Sequence, residues 1–138
     1  MADLSVYYRD KIIDHMFRGQ AFTVPTTIYV ALFTSDAGLS ANNPTGEVST
    51  SATAYTRKTL ALSEANGGDT ANTGVIEWDP ATSNWGTVVY AAIVDHPTNT
   101  NWGTNVNVLA WDSLVASKVI DTDDIFRLPI GNLQLEVR

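Results

Sequence analysis

The chain contains no cysteine, which removes disulfides, thiol catalysis and cysteine-ligated zinc from consideration. It is also poor in charge, with Asp, Glu, Lys and Arg together at 17% of 138 residues against the customary quarter. Basic residues are scarcest: eight Lys and Arg face 15 Asp and Glu, for a net charge of −7. They are scattered, with no basic run, so the chain lacks the electrostatic footprint of a nonspecific nucleic-acid binder. No apolar run approaches the roughly 20 residues that cross a bilayer. The opening Met1-Ala2-Asp3-Leu4-Ser5 has neither the basic nor the apolar region of a signal peptide, so an unprocessed chain without a membrane partner is expected. Gly-X-Ser-X-Gly and His-Glu-X-X-His are both missing, and with them two familiar routes to hydrolysis.

What is present suits a β-rich domain. Apolar residues make up 44%, and four Trp, five Tyr and four Phe supply ample surface to bury. Thr, Asn, Ser and Gly stand where charge would otherwise be, and these favour strand faces and turns over helices. The length fits one domain, residues 1–138, with a real core. Residues 3–18 carry the only strong helical period. Asp3 is placed to cap it, Leu4, Tyr8, Ile12 and Met16 form one stripe that Ile13 and Phe17 widen, and Gly19 suits the position after the last turn.

Beyond Pro25 the period changes. Thr27 to Thr34 is β-branched and aromatic throughout, as is Thr87 to Asp95, and both read as strands buried on two faces. Shorter strand patterns lie at Tyr55–Leu62, Thr73–Trp78, Val106–Trp111, Ile125–Leu128 and the alternating Leu133, Leu135, Val137. Asn66-Gly67-Gly68-Asp69 is a turn. Residues 35–53 and 96–105 read as long loops, a length that points to a function or a partner. One helix followed by seven or eight short strands predicts a mainly β, single-domain antiparallel β-sandwich, jelly-roll-like, with an N-terminal α-helix.

Candidate chemistry is sparse. Asp14 and His15 are neighbours on a helix and so do not face each other, and no nucleophile accompanies them. His96 stands in a loop with no second His near it to share a metal. Asp121, Asp123 and Asp124 superficially resemble a calcium loop, but Phe126 occupies the position where an EF-hand requires Gly. A charged turn satisfying its own amides is the plainer reading. No catalytic, cofactor-binding or metal residue is therefore assigned, and no cofactor is expected.

The tetrapeptide Asn-Trp-Gly-Thr occurs twice, at residues 84–87 and 101–104. Trp85 runs into a buried strand, and Trp78 and Trp111 lie inside strand patterns, so all three are expected in the core. Trp102 is flanked by polar residues and is expected at the surface, as an interface anchor or a platform for a sugar ring.

These patterns resemble a family of small tailed-phage virion proteins labelled tail fibre proteins or head decoration (cement) proteins. The resemblance rests on Asp14-His15-Met16-Phe17-Arg18-Gly19 and Thr26 to Asp36, then Glu47-Val48, Tyr55-X-Arg57-Lys58, and Trp85-Gly86-Thr87-Val88 leading to Ile93-Val94-Asp95. It continues through Leu109-Ala110-Trp111, Leu114 and Ser117-Lys118 to Asp121–Leu135. It implies a non-enzymatic β-sandwich that acts by assembly in the virion, put together in the host cytoplasm. Capsid decoration through binding to the major capsid protein is the expected role. The alternative is a tail fibre or tail-associated component that recognises a host surface glycan. A homo-oligomer is expected, a trimer being one option. Residues 96–105 depart from the family's shorter turn, so Trp102 belongs to this chain individually. It is the leading candidate for a contact outside the protomer, with Tyr7 and Tyr8 as further interface candidates.

Overall fold

The computed structural model describes residues 2–136. The chain opens with β1 (Asp3–Leu4) and α1 (Val6–Arg18), followed by β2 (Ile28–Phe33), β3 (Lys58–Leu60), β4 (Asp69–Ala71) and β5 (Ile76–Glu77). It closes with β6 (Gly86–Val94), β7 (Val108–Ile120), β8 (Arg127–Leu128) and β9 (Gln134–Glu136). Five strands form one antiparallel sheet in the order β1-β7-β6-β2-β3, and β4-β9 and β5-β8 form two two-stranded ribbons. The architecture is mainly β with one short helix, as the composition predicted. Two ribbons take the place of a full second sheet.

Strand alternation explains why the central strands read as continuous apolar runs. Val30 and Leu32 of β2, and Ala91 and Ile93 of β6, face the main core, which Trp78, Tyr55, Trp85 and Phe126 fill from the ribbon side. Ala31 and Phe33, with Ala92 and Val94, face a second cluster closed by Leu39, Val106 and Val108. Both faces are dry because both are covered. The covering of the second face comes from the two long loops. Leu39 from the first is fully buried, and that loop is sewn to the strands by Thr34 N–H to Gly46 O (2.8 Å) and Val48 N–H to Leu32 O (3.0 Å). Residues 35–53 are thus a packed cover rather than a free loop.

The helix begins later than its period suggests. Asp3 and Leu4 pair with Trp111 and Ala110 at the outer edge of β7, so Asp3 cannot cap. Ser5 does: its backbone is extended (φ −66°, ψ 159°) and its Oγ accepts from Tyr8 N–H at 3.2 Å. The same hydroxyl donates to Val108 O, tying the cap to the sheet. Gly19 ends the helix in the left-handed conformation (φ 68°), as expected.

The expected stripe does not become core. No residue of α1 is buried; Tyr7 and Tyr8 pack against the main core, while Ile13, Met16 and Phe17 stand 52%, 69% and 82% exposed. The two-residue β1 takes Leu4 for the sheet and fixes the helix by its first turn, so the apolar side chains of its last turns point into solvent.

β7 is far longer than the Val106–Trp111 pattern, because its second half holds a ladder with β6 despite polar, exposed residues. The register slips between Val88–Lys118 and Tyr90–Ser113, so residues 114–117 arch out with Val115 fully exposed. β9 takes up Leu135 of the alternating tail, paired with Thr70. Val137 lies outside the described residues.

Candidate functional site

Three segments meet on the second face of the sheet, alongside β2: Glu47, bridged to the end of β2 at Phe33; Arg57, just before β3; and the 95–107 connection between β6 and β7, whose Trp102 lies against Phe33. Arg57 joins all three. Its Nε and Nη2 donate to the two carboxylate oxygens of Glu47, each at 2.8 Å, in a bidentate pair. Its Nη1 donates to His96 O (3.0 Å) and Asn99 O (2.9 Å). Its guanidinium carbon lies 4.9 Å from the centroid of the Trp102 ring, within cation–π range. The Arg57 side chain is only 3% exposed and that of Glu47 16%, so this is a nearly dry ion pair.

Tyr55 extends the network inward. Its hydroxyl donates to Glu47 Oε2 (2.8 Å) and accepts from Leu32 N–H (3.0 Å), and its ring meets Trp85 edge-on at 5.5 Å. Burial, reinforced by the Glu47 charge, pushes the Tyr55 hydroxyl well above its usual range. Burial alone would lower Arg57, but the hydrogen bond and charge of Glu47 outweigh it and the guanidinium is held above its ordinary value.

A second clamp ties the two long loops together. Asn42 Nδ2 donates to Asn107 Oδ1 (2.9 Å), Asn42 Oδ1 accepts from Val108 N–H (2.7 Å), and Asp95 accepts from Asn107 N–H (2.7 Å) and Nδ2 (2.9 Å). Burial and then the Asp95 charge raise both Tyr7 and Tyr8.

The twin Asn-Trp-Gly-Thr motif puts its glycine in the same left-handed backbone conformation twice, once at the start of β6 and once in a loop turn, and its tryptophans in two different environments. Gly86 and Gly103 have φ 85° and 83°, a conformation open to glycine at no steric cost. Trp85 is buried at 5% and its Nε1 donates to Thr53 O at 2.8 Å. Trp102 is half-buried rather than surface-exposed: Phe33 abuts it at 6.2 Å between ring centroids and Arg57 lies over its ring. Its polar neighbours in sequence signalled exposure, but the apolar contacts come from residues 33 and 57, which sequence distance hides. Trp78 is in the core, as expected, with Nε1 on Thr56 O at 2.6 Å. Trp111 is half-buried on the second face beside Tyr90, with its Nε1 enclosed and unpartnered.

The remaining candidates stay apart. Asp14 pairs with Arg18 at 2.9 Å, while His15 Nδ1 meets Gln20 O at 2.9 Å, so the two neighbours serve different partners. His96 Nδ1 faces the N–H groups of Thr98 and Asn99. Asp124 Oδ2 accepts from Asp121 N–H at 2.9 Å, which makes the acidic run a self-satisfied turn. A groove of about 470 Å³ runs between the arch of β7 and the 126–134 segment, with Asp112, Lys118 and Arg127 among apolar Leu114, Phe126, Leu128 and Leu133. The arginine clamp was the principal feature missed in sequence. Glu47-Val48 and Tyr55-X-Arg57 were conspicuous as blocks, but nothing in the chain order says that their charges meet.

The profile of a family described as Podophage GP4 fiber I protein gp80 matches residues 3–136. The chain belongs to this family. It is therefore a phage structural protein of the virion, of the fibre-labelled kind. Comparison with curated proteins gives no match.

Proposed function

We propose that this protein is a non-enzymatic building block of a phage fibre, held in the virion by protein–protein contacts and partnered by other tail proteins and by copies of itself. The family description names a fibre, which favours this role over capsid decoration, the role put first on sequence resemblance. One structural observation carries the reading: Ile13, Met16 and Phe17 form an (i, i+3, i+4) apolar cluster on α1 that its own domain leaves uncovered. Tyr7 and Tyr8, half-buried at the start of the same helix, and Trp102 on the long loop are the other proposed contact residues.

Glycan stacking on Trp102 is the weaker part of the fibre alternative. Arg57 already lies over that ring and Phe33 abuts it, so a sugar would have to displace a cation held by four hydrogen bonds.

The test is to disrupt purified virions, separate heads from tails with fibres, and follow the protein by mass spectrometry. It is expected with the tail fraction, and recovery with heads alone would overturn the reading. Virions grown with the Phe17→Ser chain as the sole copy are expected to carry less of the protein, although the isolated variant folds normally.

A further inference from the structure

We propose that His96 is a pH-operated latch that sets the exposure of Trp102. The imidazole does something unusual for a loop histidine. Its Nδ1 lies 3.1 Å from Thr98 N and 2.9 Å from Asn99 N, and both of those atoms are backbone donors. Nδ1 must therefore accept, which places the ring proton on Nε2. The arrangement is a turn closed by a side chain, the service usually given by Asp or Asn, with Pro97 presetting the second position. Asn and Asp cannot be switched off by mild acid. Imidazole can, because its ordinary titration falls between about pH 5 and 8 and imidazolium has no lone pair to offer.

The consequence reaches Trp102 through Arg57. Nη1 of Arg57 is held by the carbonyls of His96 and Asn99, the two ends of the same turn. Protonation breaks both N–H bonds to Nδ1, lets the turn open, and adds a positive charge beside the guanidinium. Arg57 then loses the carbonyl pair that positions it over Trp102, while keeping its Glu47 bonds. The other charged groups around the turn are already engaged. Asp95 is occupied by Asn107, Glu47 by Arg57 and Tyr55, and from α1 the neutral Tyr7 and Tyr8 lie within reach of the Asp95 charge. None of these can replace Nδ1 as acceptor for the two amides. Losing two hydrogen bonds of ordinary worth shifts the closed-to-open ratio by about tenfold or more.

Among the proposed contact residues of the fibre reading, the latch assigns Trp102 to a state reached on acidification. The latch is tested on the isolated protein, so its failure leaves the fibre reading standing. In ¹⁵N-labelled protein, the Thr98 and Asn99 amides are expected to shift together as the solution is acidified from pH 8 and to lose exchange protection at the acid end. Iodide quenching, with Trp102→Phe subtracting that residue's share, is expected to show Trp102 becoming accessible over the same range. His96→Asn keeps an acceptor that does not titrate and should hold Trp102 covered at both ends. His15→Gln, which removes the chain's other histidine, should respond like the wild type. The proposal is overturned if the two amides do not titrate, or if His96→Asn opens as the wild type does. Should His96→Asn fail to fold, the amide titration of the unaltered chain decides alone.

Discussion

Arg57 and Trp102 sit 45 positions apart and yet share one contact, the guanidinium carbon standing 4.9 Å from the indole centroid. The contact needs both grips on the guanidinium: Glu47 holds one side in a bidentate pair at 2.8 Å, and the carbonyls of His96 and Asn99 hold Nη1 on the side of the loop that carries Trp102. A planar fork with five donors is what allows one side chain to serve a carboxylate, two carbonyls and a ring together.

Removing that fork should be costly. Arg57→Ala leaves the Glu47 carboxylate nearly buried without its partner and strips two carbonyls of their donor. A loss of about 3–5 kcal/mol is expected from urea unfolding, the range for breaking a buried pair on one side. Arg57→Lys keeps the charge but not the geometry and should recover less than half of it. Equal stability of Arg57→Lys and wild type would show that charge alone matters here.

Tyr55 predicts an alkaline limit to stability. Its hydroxyl is raised well above the usual value near 10 by burial and by Glu47. The unfolded chain therefore releases this proton first as pH rises, so the folded state binds more protons and stability falls with pH. The contribution is complete below about pH 10 and disappears as pH climbs toward the folded value. Tyr7 and Tyr8 are raised as well and act in the same direction. Tyr55→Phe should cost about 1–3 kcal/mol at neutral pH, because Leu32 N–H loses its buried acceptor. It should also flatten the alkaline decline, measured by denaturant midpoints across pH 8 to 11.

The two copies of Asn-Trp-Gly-Thr should answer mutation differently. Trp85→Phe removes a buried hydrogen bond to Thr53 O and leaves a gap beside Tyr55, for a loss of about 2–3 kcal/mol. Trp102→Phe keeps a ring under Arg57 and should cost less than about 1 kcal/mol. Thermal unfolding of the two variants side by side checks the contrast. A larger loss at Trp102 would mean that the loop, rather than the sheet, anchors this end.

Gly38 is irreplaceable for two independent reasons. Its φ of 78° disfavours any side chain, and a Cβ there would stand 2.0 Å from the backbone oxygen of Asn43. Gly38→Ala should destabilise by more than about 2 kcal/mol, since neither strain nor a backbone clash relaxes cheaply. Because this turn carries Leu39 into the second cluster, near-ultraviolet circular dichroism should report loosened packing around Phe33 and Trp102 as well.

Much of the fold was legible in the chain. The β class, the two central strands, the turn at residues 66–69 and the helix end at Gly19 all follow from local rules. β-branched runs bury on two faces, and glycine takes left-handed backbone at no steric cost. The family resemblance was legible too, as an ordered series of blocks. The helix start was not, because Asp3 and Ser5 are both good caps. The choice fell to Ser5 when Asp3 and Leu4 found a ladder on β7, a partner more than 100 positions away.

The sequence by itself determined which residues could be core, where turns fall, and that the polar residues form no recognisable catalytic motif. Only the tertiary structure decided how those polar residues are spent. It brought Glu47, Arg57 and His96 into one clamp, covered Trp102, and left Ile13, Met16 and Phe17 outside. The reason is physical: periodicity and turn chemistry are properties of neighbours along the chain. An ion pair, a stacked cation and an uncovered stripe depend on which distant segments the sheet lays side by side.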